Sequence, residues 1–247
     1  MNLLRKLKDM SRRMRVALYL ATHGGRFSHG GLPVEIPDCV AFSVKKQIMR
    51  GQYEEPECRL VRRHLDPGLP VIELGGSLGV VSALINSRLE AGTTLTVVEA
   101  NPQLLHACRT NAAAAGHGER VEVVHAAVAY GSDTVSFAVS ADSLSGRLGA
   151  EAGKASLEVP AVTLSQLVES RVGGRAYSLV MDIEGAEYDV FAHDAGGLSS
   201  CRMAIVEVHP HIYARSGQSL DGFMELVSRA GFEVLERDGD SLVLVHR

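Results

Sequence analysis

The sequence has few cysteines and lacks any long apolar run, and these absences limit the classes of protein it can encode. Its four cysteines, Cys39, Cys58, Cys108 and Cys201, form neither a CxxC pair nor a metal-binding spacing, as expected for reduced thiols of a cytoplasmic protein. No apolar stretch approaches the roughly 18 residues of a membrane span, and the N-terminus lacks the continuous apolar segment of a signal peptide. We therefore expect neither a disulfide-stabilised secreted protein nor a membrane-spanning one.

The charge balance and the length narrow the choice further. A formal net charge of −4 argues against a general nucleic-acid binder, although it does not exclude a local basic patch. At 247 residues with 46% apolar content, the chain is long enough for one large domain with a full hydrophobic core. It shows no internal repeat and no linker that would separate a second domain.

A glycine-rich turn is the most informative local pattern. It joins a predicted strand at 71–74 to a predicted helix at 80–91. Glycines at 75, 76 and 79 allow the backbone to turn tightly and to approach a ligand where a Cβ atom would collide. The free N–H groups at the start of the following helix favour an anionic or polar end of a ligand.

A second strand, predicted at 95–99, ends in the carboxylate of Glu99, 20 residues after Gly79. From this position an acidic side chain accepts hydrogen bonds from ribose hydroxyls in nucleotide-binding folds. The turn and the carboxylate together predict a site for a nucleoside cofactor.

The rest of the chain alternates strands and helices, which predicts an α/β fold with a doubly wound, mainly parallel sheet. Further core strands are predicted at 121–125, 179–182 and 203–208, an extra strand at 135–139, a small-residue loop at 140–155, and helices at about 102–115, 163–170 and 221–230. Asn101 is the expected N-cap of the first of these helices. The chain ends in a predicted hairpin, 232–235 and 241–245, whose turn Asp238-Gly239-Asp240 is typical of antiparallel strands.

The first 15 residues carry six basic side chains and one acidic one, with leucines and methionines at helical spacing. This pattern predicts a basic amphipathic helix. The helix could pack against the domain with its charges in solvent, or it could contact an anionic membrane surface or a partner. A short strand at 34–36 and helices at 40–50 and 57–65 are predicted to follow.

Three motifs resemble those of FkbM-type methyltransferases, which use S-adenosylmethionine. They are Glu73-x-Gly75-Gly76-x-x-Gly79, Glu99-Ala-Asn-Pro102 and Met181-Asp182-Ile-Glu184-Gly185-Ala186-Glu187, and 51–54, 163–164 and 206–209 also fit that family's order. The resemblance covers roughly residues 51 to 210. It implies the seven-stranded class I methyltransferase fold, a Rossmann-like sheet with an antiparallel last strand. Residues 66–247 would then form the cofactor-binding domain, and 1–65 a helical extension that covers the site.

Family resemblance also implies which residues hold the cofactor. By position they are Glu73, Gly75, Gly76, Ser77, Gly79, Glu99, Ala100 and Ala126. Glu73, Gly75 and Gly79 would surround the methionine part, Glu99 would hold the ribose, and the loop near Ala126 and Ala127 would lie by the adenine. Two positions depart from the family pattern, because Ser77 stands where the family often has Asn, and Val180 where it often has Lys.

On the acceptor side, Asp182 ends a predicted buried strand at the sheet edge where ligands of open α/β folds bind, and Glu184 follows it. His209 follows the fifth core strand. If the acceptor is a hydroxyl, as the family suggests, Asp182 or His209 would accept or orient its proton. A Mg²⁺ ion held by Asp182, Glu184 or Glu207 is an alternative, although the spacing of these carboxylates is not diagnostic.

The resulting hypothesis is an S-adenosylmethionine-dependent O-methyltransferase acting on a small-molecule, glycan or natural-product hydroxyl. One alternative is an NAD-dependent dehydrogenase, against which the terminal hairpin and the absence of a recognisable Ser/Tyr/Lys set argue. The other is a non-catalytic module that binds a partner through the basic helix, against which Asp182 and Glu184 beside an intact cofactor motif argue. The sequence indicates no nucleic-acid partner and no oligomeric state.

Overall fold

The computed structural model describes residues 3–114, 116, 120–138, 147–148 and 156–246. The α-helices in this part of the chain are α1 Leu3–Thr22, α2 Phe42–Met49, α3 Glu55–His64, α4 Val80–Arg88, α5 Leu105–Ala113, α6 Leu164–Leu167, α7 Glu187–His193, α8 Ala195–Leu198, α9 Pro210–Tyr213 and α10 Leu220–Arg229. The strands are β1 Phe27–His29, β2 Leu32–Val34, β3 Val71–Leu74, β4 Leu95–Glu99, β5 Val121–His125, β6 Ala127–Val128, β7 Thr134–Ala138, β8 Arg147–Leu148, β9 Ser156–Val162, β10 Tyr177–Met181, β11 Cys201–Glu207, β12 Phe232–Asp238 and β13 Ser241–His246.

Seven strands form the main sheet, in the order β12-β13-β11-β10-β3-β4-β5. The pairs among β11, β10, β3, β4 and β5 are parallel, whereas β13 is antiparallel to both β11 and β12. The terminal hairpin therefore inserts its last strand between β11 and β12. This order confirms the expected seven-stranded sheet with an antiparallel C-terminal strand.

Helices cover both faces of this sheet, as the side chains of β10 illustrate. Leu179 and Met181 lie in a hydrophobic core with residues of α6, α7 and α10. Val180 points to the opposite face, into a second core that contains residues of α3 and α4. Because neighbouring residues of a strand point to opposite faces, a strand covered on both sides is mainly apolar along its length. The doubly wound architecture is confirmed.

A second, four-stranded sheet in the order β6-β9-β7-β8 lies outside the sequence prediction except for β7. Its longest pairing joins β7 and β9, from Thr134 opposite Pro160 to Ala138 opposite Ser156. Such a pairing depends on partners more than 15 residues apart, so local periodicity does not reveal it. Most of the loop predicted at 140–155 lies outside the described residues, and β8 occupies its positions 147–148.

The helix expected at 102–115 begins later than predicted, at Leu105. Asn101 does not cap it, because the Asn101 side-chain oxygen accepts the N–H of Gln103 within a turn. The Asn101 N–H in turn donates to Glu99 Oε1 at 2.6 Å. The carboxylate at the end of β4 thus holds the following residues in a loop instead of a first helical turn.

The strand predicted at 34–36 is also displaced, since β2 ends at Val34 and pairs with β1. Beyond it, the Glu35 N–H donates to the Asn111 side-chain oxygen, and the Asn111 amide donates to the Glu35 carbonyl. These two hydrogen bonds attach the segment to α5, at positions where the pattern predicted a strand.

The basic N-terminal segment is a single helix, α1, that contacts the domain through only part of its surface. Tyr19 donates to the Ser28 carbonyl, and the Arg12 guanidinium lies 5.5 Å from the centre of the Phe42 ring. Among the described side chains of this helix, four large apolar ones are exposed: Leu7, Met10, Met14 and Leu18. Some side chains of α1 therefore pack against the domain. Contact of the helix with an anionic membrane surface or a partner stays a prediction.

No helix among the described residues combines the length and the apolar character that a bilayer crossing requires.

Helix α3, which belongs to the predicted N-terminal extension, contributes Cys58, Leu60 and Val61 to the core shared with the sheet. The division of the chain at residue 65 stays a prediction.

The turn after β3 gives a direct test of this fold. Gly75 has φ +94°, and a Cβ at this position would lie 1.8 Å from the Asp182 carbonyl oxygen. Gly92 has a similar φ of +88° but nothing within 4 Å of its Cβ position. We expect Gly92→Ala to cost about 1–2 kcal/mol for its backbone conformation, and Gly75→Ala about 1–3 kcal/mol more for the collision. Urea unfolding measures both values, and equal losses would contradict the close contact.

Candidate active site

A cavity of about 310 Å³ opens where β3, β4 and β10 end, on the carboxyl side of the parallel strands. This volume lies at the lower end of the range for small-molecule sites. Seven residues that the sequence proposed as site residues line it: Gly75, Ser77, Glu99, Ala100, Ala126, Asp182 and Glu184. The cavity thus joins the predicted cofactor side and the predicted acceptor side.

The other proposed site residues lie behind the cavity wall. A Cβ at Gly76 would lie 2.3 Å from Val97 Cγ1, and one at Gly79 would lie 2.6 Å from the Cys108 carbonyl oxygen. These two glycines therefore allow α5 and β4 to pack closely against the turn. Glu73 is only 2% exposed.

Glu99 organises the cofactor side through its two carboxylate oxygens. Oε2 accepts the Ser77 N–H at 2.6 Å, and Oε1 accepts the Asn101 N–H at the same distance. Burial raises the pKa of Glu99 to about 7, although the backbone N–H groups oppose this shift. Each oxygen keeps a lone pair for a further donor, so the carboxylate can still accept hydrogen bonds from a ligand.

Glu73 shares one face of the sheet with Val180, its cross-strand neighbour on β10. Burial raises the pKa of Glu73 to about 8, while the nearby Ser82 hydroxyl opposes this shift. Its Oε2 has no hydrogen-bond partner among the described residues. With valine at position 180, this face carries no lysine beside the carboxylate.

Backbone strain is concentrated around the cavity. Among the described residues other than glycine, three have positive φ: Glu54 at +49°, Ser77 at +46° and Glu184 at +52°. All three line the cavity. Such conformations cost about 1–3 kcal/mol each and persist where the surrounding structure enforces them, which is typical of functional sites.

Glu187 holds the loop that carries Asp182 and Glu184. It is fully buried, and its Oε1 accepts the N–H groups of Ile183 and Gly185 at 2.9 and 3.2 Å. Tyr213 donates its hydroxyl to Oε2 at 3.1 Å. Glu187 is thus a structural residue of the acidic loop.

His209 lies between this buried carboxylate and the two that line the cavity. Its Nδ1 is 3.2 Å from Glu187 Oε1, and its Nε2 is 3.5 Å from Asp182 Oδ1 and 3.9 Å from Glu184 Oε2. Burial alone would lower the pKa of the imidazole, but the surrounding carboxylates, led by Glu187, raise it to about 9. His209 does not line the cavity itself, so it contacts the site through Asp182 and Glu184.

Carboxylates also accumulate on the other side of Asp182. Glu54 lines the cavity, and Glu57 and Glu207 approach Asp182 from α3 and from the end of β11. Burial, followed by repulsion between these groups, raises the pKa of Glu57 and of Asp182 well above the usual range. Burial also raises the pKa of Glu54 to about 7.

Three groups of described side chains come close enough to hold a metal ion, with their ligand atoms within 4.8 Å of one another. They are Glu57, Asp182 and Glu207; Asp182, Glu187 and His209; and His29, Glu55 and Cys58. Of the carboxylates that the sequence proposed as magnesium ligands, Asp182 and Glu207 fall into the first group, whereas Glu184 falls into none.

Several residues of the site were not proposed from the sequence. The hydroxyls of Tyr53 and Ser77 are joined by a hydrogen bond of 3.1 Å. Val44 and Phe137 contribute apolar side chains to the wall of the cavity. Tyr53 and Glu54 belong to a motif of the family resemblance, which was the available signal. Phe137 and Glu57 carry no local signal, because packing between distant segments brings them to the site.

The family of the chain follows from a comparison with known domains. Residues 74–234, more than half of the chain, match the profile of the methyltransferase FkbM domain. The chain belongs to the FkbM methyltransferase family. The matched region contains the glycine turn, Glu99, the acidic loop and His209, so the resemblance seen in the motifs is confirmed. The sequence matches none of the curated proteins with which it was compared.

Three solved structures that align with this FkbM chain have low sequence identity to it. A proposed O-methyltransferase from Klebsiella pneumoniae is 15% identical, covers 96% of this chain and 90% of its own, and has a TM-score of 0.46. An O-methyltransferase family protein from Burkholderia thailandensis is 16% identical, with coverages of 79% and 56% and a TM-score of 0.46. Cofactor-bound Rv0187 from MTB is 16% identical, with coverages of 78% and 79% and a TM-score of 0.44. None of the three reaches a TM-score of 0.5, so the family assignment depends on the domain match.

The strained backbone at Glu184 can be tested with two variants that lose the same carboxylate. Glu184→Ala keeps a Cβ at φ +52°, whereas Glu184→Gly removes the steric conflict. We expect the glycine variant to be more stable than the alanine variant by about 1 kcal/mol. Chemical unfolding of both proteins measures the difference. An alanine variant as stable as the glycine variant would show that this loop holds no strain.

Proposed function

We propose that this protein transfers a methyl group from S-adenosylmethionine to a hydroxyl oxygen of a small-molecule or glycan acceptor. One observation carries the proposal: a single cavity is lined both by the cofactor motif of the family and by the Asp182 loop. Gly75 of the first lies directly against the backbone of Asp182 in the second. A ligand on the cofactor side would therefore lie next to the carboxylates of Asp182 and Glu184.

The residues of the cavity fit the parts of S-adenosylmethionine. Glu99 has lone pairs for the two ribose hydroxyls, and the turn at Gly75 and Ser77 leaves backbone exposed for the amino-acid end. Ala126 and Phe137 offer an apolar surface for the adenine. When bound, the cofactor supplies a methyl group already activated on a sulfonium, so the protein chiefly contributes alignment and exclusion of water.

Asp182 and Glu184 are the groups of this chain best placed to contact the acceptor. Both line the cavity, and the Asp182 side chain is 24% exposed. A carboxylate oxygen in this position accepts the hydrogen bond of an acceptor hydroxyl and orients or receives its proton. His209 contacts both carboxylates from outside the cavity, so its role is to position them.

Glu99 provides the test of the cofactor. Glu99→Ala removes the acceptor for the ribose hydroxyls, which costs about 1.5–3 kcal/mol of binding free energy, or about tenfold or more in Kd. Calorimetry with S-adenosylhomocysteine measures the loss. Glu122→Ala, which removes an exposed carboxylate of the neighbouring strand β5, should leave the Kd unchanged. Wild-type protein that binds NAD but not S-adenosylhomocysteine would contradict the proposal.

Asp182 provides the test of the acceptor side. An extract incubated with methyl-labelled cofactor identifies the acceptor, with which turnover is then measured. Asp182→Asn keeps the shape but removes the charge that orients or accepts a proton, so turnover should fall by about 10²–10⁴. The Kd for S-adenosylhomocysteine should stay close to that of the wild type. Normal turnover in Asp182→Asn together with loss in His209→Ala would reverse the two roles.

A further inference from the structure

We propose that Glu57, Asp182 and Glu207 form a binding site for a divalent cation that prefers oxygen ligands, such as Mg²⁺ or Mn²⁺. One carboxylate oxygen of each residue lies within 4.8 Å of the other two. Oxygen atoms on opposite sides of a Ca²⁺ ion are about 4.6–5.2 Å apart, and those around Mg²⁺ about 4.2 Å or less. The three oxygens are therefore close enough that small side-chain rotations would bring them around one such ion.

Glu57 is the observation that points to a ligand and not to a surface cluster of acids. It is only 4% exposed, yet no hydrogen bond or ion pair within the described part of the chain reaches its carboxylate. A buried carboxylate without a donor or a cation is strongly unfavourable. Asp182 Oδ1 is also buried and accepts no hydrogen bond from the described residues, although His209 Nε2 lies 3.5 Å away. A divalent cation between them would satisfy both.

In each of the two other possible metal groups, the glutamate already has partners. Glu187 already accepts two backbone N–H groups and the Tyr213 hydroxyl, so its oxygens are satisfied without a metal. Glu55 is paired with Arg62 at 3.1 Å and with Arg59 at 3.9 Å. The chemistry of the donors also favours the first group, because three carboxylates suit Mg²⁺, Mn²⁺ or Ca²⁺.

The cation would connect this group to the cavity through Asp182, the one ligand that lines it. Three protein ligands leave coordination positions of a six-coordinate ion for water or for an oxygen of the acceptor. That catalytic consequence rests on the proposed methyl transfer. The binding of the cation does not, so the two can fail separately.

Mn²⁺ is the probe for the site, because paramagnetic resonance distinguishes the bound ion from the free ion. In the wild-type full chain without cofactor we expect one Mn²⁺ site, from which Mg²⁺ displaces the probe. Glu57→Gln should weaken Mn²⁺ binding about tenfold or more, since ligand charge sets the affinity of such sites. Glu55→Gln, on the same helix but paired with arginines, is the matched control and should bind Mn²⁺ like the wild type.

Thermal unfolding gives a second readout, because the effect of Glu57→Gln on the Tm should differ between the metal-free and the Mn²⁺-bound protein. Without metal, Glu57→Gln should melt about 2 °C or more above the wild type, because folding must protonate the buried Glu57 carboxyl or bury its charge, and the amide requires neither. Added Mn²⁺ should raise the Tm of the wild type but not that of the variant. If Glu57→Gln fails to fold, Glu207→Gln replaces it in both measurements.

A wild-type chain that takes up no Mn²⁺ at millimolar concentration would overturn the proposal. Equal Mn²⁺ affinity in the wild type and Glu57→Gln would overturn it as well. Binding of S-adenosylhomocysteine, measured in the same preparations, shows separately whether the proposed function holds.

Discussion

The close contact between Gly75 and the Asp182 backbone is the constraint on which the site depends. The Asp182 N–H donates to the Leu74 carbonyl at 2.9 Å, and a Cβ at Gly75 would collide with the Asp182 carbonyl. The glycine turn after β3 and the acidic loop after β10 therefore begin side by side. Glu99 fixes the far side of the same turn by accepting the Ser77 N–H. A fold common to many nucleotide-binding proteins thus places its glycine turn against a cluster of carboxylates.

This cluster contains more carboxyl groups than the neighbouring donors and cations can balance in the ionised form. Glu187 is satisfied by backbone N–H groups, and His209 supplies one cation beside Asp182, but Glu57 has no partner among the described residues. Burial of like charges and positive φ angles at cavity residues both reduce the stability of the fold. Strain and charge coincide at one place, which is the pattern expected where a site is organised for a ligand.

Local patterns predicted the main sheet and much of the site, because each carries its own physical signature. Apolar runs marked buried strands, the Asp238-Gly239-Asp240 turn marked the hairpin, and the acidic motif marked Asp182. The start of α5 was missed because the Glu99 carboxylate, not Asn101, determines the backbone there. Phe137 and Glu57 could not be predicted, since the pairing of β7 with β9 and the packing of α3 on the sheet bring them to the site.

The proposed function requires one cavity to hold the cofactor against the acidic loop. A crystal structure with S-adenosylhomocysteine would reveal this arrangement. We expect ribose hydroxyls within hydrogen-bond distance of Glu99, the adenine beside Ala126, and the sulfur on the side of Asp182. A nucleoside bound away from Glu99, or a sulfur separated from Asp182 by the wall of the cavity, would contradict it.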